Sequence, residues 1–218
     1  MTTKLNGPCY RSGDKADSLV VLLHGRGVSG DNMVAIAPYM SKVGLKNAQF
    51  VAPHAPLPYG PAGYTWFTDS LRNMEEGTAV SEIMQSVNIV NWFIDEQLRM
   101  LDLSDSQLAL VGFSQGAMLS VYVGLSRAKR CAAVVAYSGA VPFPHTLGNK
   151  ILSRPDVCVV HGKNDEVIPF CYFEECVSFL RNNNIKVEAL GIDSLDHSIN
   201  NQGLEVGARF IVSRVQPQ

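Results

Sequence analysis

The sequence holds no apolar stretch long enough for a membrane. Runs such as Leu19–Leu23 and Cys131–Ala136 fall far short of the roughly 20 residues that a spanning helix needs, so stable membrane insertion is not expected. Excess charge of one sign is also missing. Eighteen Lys and Arg stand against twenty Asp and Glu, no basic stripe gathers, and nucleic acid is therefore not an expected partner. The opening stretch Met1–Ser18 is polar, contains Gly and Pro, and lacks the apolar core of a secretory signal, which points to a cytoplasmic location. Cysteine is scarce and scattered. Cys9, Cys131, Cys158, Cys171 and Cys176 form an odd set without a C-x-x-C pair, which argues against a disulfide framework and for reduced thiols. None lies near a histidine at ligand spacing, so neither a zinc site nor any other metal or cofactor is expected.

What is present reads as alternation. Near-continuous apolar runs at Leu19–Leu23, Gln49–Ala52, Leu108–Val111, Ala132–Tyr137, Val157–Val160 and Lys186–Leu190 have the character of strands covered on both faces. Between them the patterning predicts helices at Asn32–Val43, Val80–Leu101, Gln115–Ser126, Phe170–Asn182 and Asn200–Val212. In the second helix Ile83, Val87, Val90, Ile94 and Leu98 recur at helical spacing behind a Ser81 cap. The reading is an α/β protein with a mostly parallel, doubly wound sheet and helices on both faces. A chain of 218 residues without linkers or repeats fits one domain over 1–218. No connection is long enough to form a helical lid.

The chemistry centres on Gly112-Phe113-Ser114-Gln115-Gly116. It follows a strand-like run and opens a helix-like one, the context in which G-x-S-x-G becomes a nucleophile elbow. A serine hydroxyl is a weak nucleophile at neutral pH and needs a base, which itself must be held. On this kind of sheet the partners follow in chain order, acid then histidine. Of the histidines at 24, 54, 145, 161 and 197, only His161 and His197 lie far enough downstream, and His161 comes ahead of the acid candidates. His197 sits in a polar loop between the last strand and the last helix, where a solvent-reachable base belongs. Asp165, just past the Val157–Val160 strand, is the preferred acid. Glu166 is one position off, and Asp193 and Asp196 share a loop with His197, too close in sequence to reach its ring well. The oxyanion donors expected are the backbone N–H of Gln115, at a helix start, and one from the glycine-rich turn Leu23-His24-Gly25-Arg26-Gly27. Met33, Leu57, Tyr59, Trp66, Met118, Phe143 and Ile168 are of a type to line an acyl site, and Trp66, Phe143 and Ile168 are taken as substrate-binding.

Together these segments resemble the carboxylesterase/phospholipase and acyl-protein thioesterase family of the α/β-hydrolase fold, from about Leu19 to Phe210. Its marks are Leu22-Leu23-His24-Gly25-Arg26-Gly27 with Gly30-Asp31, Pro53-His54-Ala55-Pro56, Trp66-Phe67, Gly112-Phe113-Ser114-Gln115-Gly116-Ala117-Met118, His161-Gly162-Lys163-Asn164-Asp165 with Val167-Ile168-Pro169, and His197. The resemblance implies a Ser114–Asp165–His197 triad, oxyanion donors at the N–H groups of Arg26 and Gln115, and hydrolysis of carboxylic esters, lysophospholipids or acyl thioesters. Arg26 departs from the leucine more usual there, and Leu57–Thr65 does not map onto the family pattern. The absence of a lid favours short-to-medium acyl esters. The expected partner is a small ester or lipid substrate, with a homodimer left open. A peptidase or lactonase on the same sheet, and an inactive small-molecule-binding protein, are the alternatives. The first would need a charged pocket or a cysteine at the elbow; the second would need a missing triad member.

Overall fold

The computed structural model describes residues 4–68 and 75–215. Its strands are β1 (Cys9–Arg11), β2 (Ser18–Leu23), β3 (Ala48–Val51), β4 (Leu57–Tyr59), β5 (Gly63–Thr65), β6 (Leu108–Phe113), β7 (Ala133–Tyr137), β8 (Asp156–Gly162) and β9 (Val187–Ile192). Its helices are α1 (Gly30–Val34), α2 (Ala37–Val43), α3 (Glu76–Leu101), α4 (Gln115–Ser126), α5 (Pro144–Gly148), α6 (Cys171–Asn182) and α7 (Asn201–Val215). Seven strands form one sheet in the order β1-β3-β2-β6-β7-β8-β9, parallel throughout except for β1 against β3. The chain runs outward from β2 to β3, then crosses back to β6. The crevice beyond the carboxyl ends of β2 and β6 is thus the topological switch point, where open α/β sheets bind ligands.

Both sheet faces are buried, and the side chains sort by strand parity. Leu19, Val21 and Leu23 join the core layer beneath α3, α4 and α6, while Val20 and Leu22 join the layer that includes α7. This two-sided burial is why the strands read as continuous apolar runs. Helix α4 is buried from Gln115 to Leu125, and its apolar residues accordingly run all round instead of forming one stripe. All five thiols are unpaired. Burial pushes Cys131, Cys158 and Cys176 up to about 12, which leaves them inert.

The helix expected over Asn32–Val43 is two helices. Pro38 stands in the first turn of α2, where its missing N–H costs nothing, whereas in the interior of one long helix it would remove a hydrogen bond and clash with the preceding turn. Ser29 caps α1 through a capping box with Asn32. Ser81 caps nothing: α3 begins a turn earlier at Glu76, which places Ser81 inside the helix. Strand β1, helix α5 and the β4–β5 hairpin were not anticipated, being short and rich in Pro, Gly or polar residues.

Candidate active site

Ser114 stands between β6 and α4 with φ 53° and ψ −118°, strained values for a residue with a side chain. Its N–H donates to Tyr137 O at 2.9 Å, tying the turn to the neighbouring strand. The two glycines of the elbow are there because nothing else fits. A Cβ on Gly112 would lie 2.1 Å from Gly116 O, and one on Gly116 would lie 2.0 Å from Leu23 O. Strand β2 and helix α4 therefore touch backbone to backbone, and the loop after β2 is brought over the serine.

His197 Nε2 lies 3.0 Å from Ser114 Oγ, and His197 Nδ1 lies 2.7 Å from Asp165 Oδ2. A carboxylate oxygen only accepts, so Nδ1 carries the proton and Nε2 is left to accept from the serine hydroxyl. The histidine side chain is 17% exposed and its ring leans on Phe113 at 4.9 Å between centroids, while the Asp165 side chain is fully buried. Asp165 Oδ1 accepts the N–H groups of Val167 and Ile168 at 2.9 and 2.8 Å. The histidine loop is seated directly on the acid's strand. A Cβ on Gly162 would lie 2.2 Å from Leu195 O, and Asn164 N–H donates to that same carbonyl at 2.9 Å. The rival acids are engaged elsewhere or turned away. Asp193 pairs with Lys163 at 2.8 Å, Asp196 accepts from Ser198 Oγ at 2.5 Å, and Glu166 is exposed.

The turn after β2 lies over Ser114: a Cβ on Gly25 would sit 3.3 Å from Ser114 Cβ. Among the described residues, neither the Arg26 nor the Gln115 backbone N–H donates to a protein acceptor. The Arg26 guanidinium turns away toward the hairpin. Its Nη2 donates to Thr68 O at 2.5 Å, and its carbon lies 5.0 Å from the centre of the Tyr59 ring. The Arg26 N–H thus meets no protein acceptor among the described residues while its side chain is engaged, and substitutions can separate the two. Arg26→Ala keeps the N–H and is expected to leave kcat for a short ester within several-fold of wild type. Arg26→Pro deletes it, at a cost of about 10²–10³ in kcat. The comparison uses variants that melt near wild type. Equal loss in both would assign the work to the guanidinium, and full activity in both would place the donor elsewhere.

Sequence reasoning missed the supports beneath this turn. His24 is buried; its Nδ1–H donates to Gly25 O at 2.7 Å, and its Nε2 accepts from Ala55 N–H at 2.9 Å. Burial lowers its pKa, so the ring stays neutral. Trp66, expected to contact an acyl chain, is 1% exposed, and its indole N–H donates to His24 O at 3.0 Å. That burial makes it a prop for the turn, a correction of its expected role. Met33 is likewise packed in the core layer on the α7 side of the sheet. The Gln115 side chain accepts from Trp66 N–H at 2.8 Å and donates to Phe67 O at 2.9 Å, so the residue after Ser114 also pins the wall beside it. The hairpin bonds to the turn itself, Gly27 N–H to Tyr64 O and Tyr64 N–H to Val28 O, both at 2.9 Å. Phe143 and Ile168 are half-buried and keep surface to offer. Phe143 immediately precedes α5 at φ 49°, after a turn held by the Tyr122 hydroxyl on Pro142 O. His161, set aside as a base, is buried, and burial holds its pKa below the usual imidazole range despite the pull of Ile168 O and Asp165. Among the described residues no group of three or more His, Cys, Asp or Glu could hold a metal ion, and no helix is long and apolar enough to cross a membrane.

A strained serine between strand and helix at the switch point of such a sheet places the protein among the α/β-hydrolases, and its structural neighbours agree. Esterase PE8 superposes with a TM-score of 0.90 at 30% identity, covering 97% of this chain and 100% of that one. Arabidopsis thaliana SOBER1 shares the fold at a TM-score of 0.81 and 22% identity, over 91% of this chain and 99% of its own. The phospholipase/carboxylesterase family model matches residues 9–214, and the chain belongs to that family. Acyl-protein thioesterase 1 of Schizosaccharomyces pombe is 29% identical over 197 residues, 84% of each chain. The protein is an enzyme of the ester-hydrolysing kind.

Proposed function

We propose that the protein hydrolyses short-to-medium acyl esters through an acyl-enzyme on Ser114. The observation that carries this is the continuous Ser114–His197–Asp165 contact, with each proton position dictated by its acceptor. His197 Nε2 takes the hydroxyl proton as Ser114 Oγ bonds to the ester carbonyl carbon. The resulting oxyanion lies toward the N–H groups of Arg26 and Gln115, and the dipole of α4 adds to their effect. When the intermediate collapses, the C–O bond to the alcohol breaks and the imidazolium returns its proton to the leaving oxygen. Water repeats the sequence on the acyl-enzyme and restores Ser114. Asp165 holds the imidazole in the required tautomer and offsets its transient charge. Ile168, on the acid loop, and Phe143 offer apolar surface for the acyl group. A thioester differs only in its leaving sulfur, and the Schizosaccharomyces pombe relative is named for thioester cleavage, so acyl thioesters fall within the same reading.

A series of p-nitrophenyl esters of increasing acyl length, run beside matched acyl thioesters, tests the proposal. The expected result is turnover that peaks at short-to-medium chains. No ester turnover, or faster cleavage of peptides or lactones, would overturn it.

A further inference from the structure

Two imidazoles converge on the Asp165 carboxylate. One is His197. The other is His161, next to last in β8, whose Nε2 lies 3.3 Å from the same Oδ2 and 2.8 Å from Ile168 O. Both neighbours are acceptors, so the His161 proton resides on Nε2. Its Nδ1 is buried and meets no partner among the described residues, and the ring is edged by Phe170 and Phe173 at 6.0 and 6.1 Å between centroids. A second proton would have nothing to bond to, which makes this ring a fixed neutral donor and not a base.

The contacts close a circuit. His161 grips Ile168 O; Ile168 N–H, with Val167 N–H, grips Asp165 Oδ1; Asp165 Oδ2 faces His197 on one side and His161 on the other. The acid lies on a loop, without a helix or strand to hold it, so these contacts set its orientation. We propose that His161 is a positioning residue for the catalytic acid: it clamps the Ile168 carbonyl and faces Oδ2, and so fixes the carboxylate in the orientation that presents Oδ2 to His197. A catalytic group is effective only when its supports hold it to within a fraction of an ångström. The inference rests on the triad reading above.

The test begins with wild-type protein and a fluorophosphonate, which should label Ser114. His161→Phe then retains an aromatic ring beside Phe170 and Phe173 but deletes the N–H. His161→Gln returns an amide N–H to about the place of Nε2. A short p-nitrophenyl ester is assayed well below the melting temperature of each variant. The Phe variant is expected to lose roughly 10–10² in kcat with KM within about twofold, because a displaced catalytic group costs the chemical step and not the binding. Fluorophosphonate labelling should slow in parallel, and the Gln variant should recover to within several-fold of wild type. If the Phe variant does not fold, His161→Asn replaces it, since its amide is too short to reach Ile168 O. Wild-type kcat without the donor, an effect confined to KM, or a Gln variant as impaired as the Phe one would each overturn the proposal. Failure of the wild type to label at Ser114 would overturn the triad reading and this inference with it, before position 161 is touched.

Discussion

Ser114→Ala is expected to remove nearly all esterase activity, leaving at most roughly 10³–10⁴-fold acceleration over water from the oxyanion donors and binding that remain. The reason is local. The hydroxyl is the only part of the side chain that meets His197, at 3.0 Å, while the elbow's geometry comes from backbone contacts that alanine retains. The variant should therefore melt near wild type, or slightly above it if relief of a polar group at the turn outweighs the lost bond. A fluorophosphonate adduct, located by mass spectrometry, should appear on the Ser114 peptide of the wild type and vanish in the variant. Labelling of another residue, or wild-type turnover in the alanine variant, would refute the assignment.

If the proposed triad holds, Asp165→Asn should be nearly as damaging, about 10⁴ in kcat by the tautomer logic that governs serine triads, and the surroundings specify how. The Oδ1 position is held by two backbone donors, the Val167 and Ile168 N–H groups, so the amide oxygen of asparagine will take that place. The NH₂ group then replaces Oδ2 and faces His197 Nδ1. A donor there makes Nδ1 the acceptor, moves the imidazole proton to Nε2, and leaves nothing to accept the serine proton. The same NH₂ also meets the Nε2–H of His161, a donor against a donor. Measured kcat on a short ester and the rate of fluorophosphonate labelling should fall together. Wild-type turnover in this variant would move the acid to Asp193 or Asp196, both of which now have other partners.

The three residues of the proposed triad could be singled out in the sequence because each stands in a segment that announces itself locally: Ser114 in a strand-turn-helix pattern, Asp165 just past a strand, His197 in a polar loop before the last helix. The same holds for α4, whose bounds match the expectation at both ends. Strand ends were less legible. Strand β8 extends to Gly162 because His161 and Gly162 pair with Gly191 and Ile192, and a histidine beside a glycine does not look like strand interior. Trp66 was misassigned for a related reason. Residue type states that a large apolar ring will be covered, but the indole meets His24, and the Trp66 carbonyl is held by Ser86, both remote in sequence. The hairpin over Leu57–Thr65 was opaque because the groups that fix it, Gly27 and Val28, belong to a different segment. His161 was legible as a poor base but not as a support, since its partners appear only once the acid loop has folded back over β8.

The bonds between the hairpin and the turn after β2 have a consequence for how this enzyme can change. Tyr64 N–H donates to Val28 O and Tyr64 O accepts from Gly27 N–H, so the hairpin and the turn that carries the proposed oxyanion donor Arg26 form one mechanical unit. Insertions or substitutions that reshape the hairpin to admit a new substrate will also shift the turn, trading catalytic rate for breadth. Among the described residues Phe143 and Ile168 make no backbone hydrogen bond to that turn, and new specificity, whether selected or engineered, has its less costly route there.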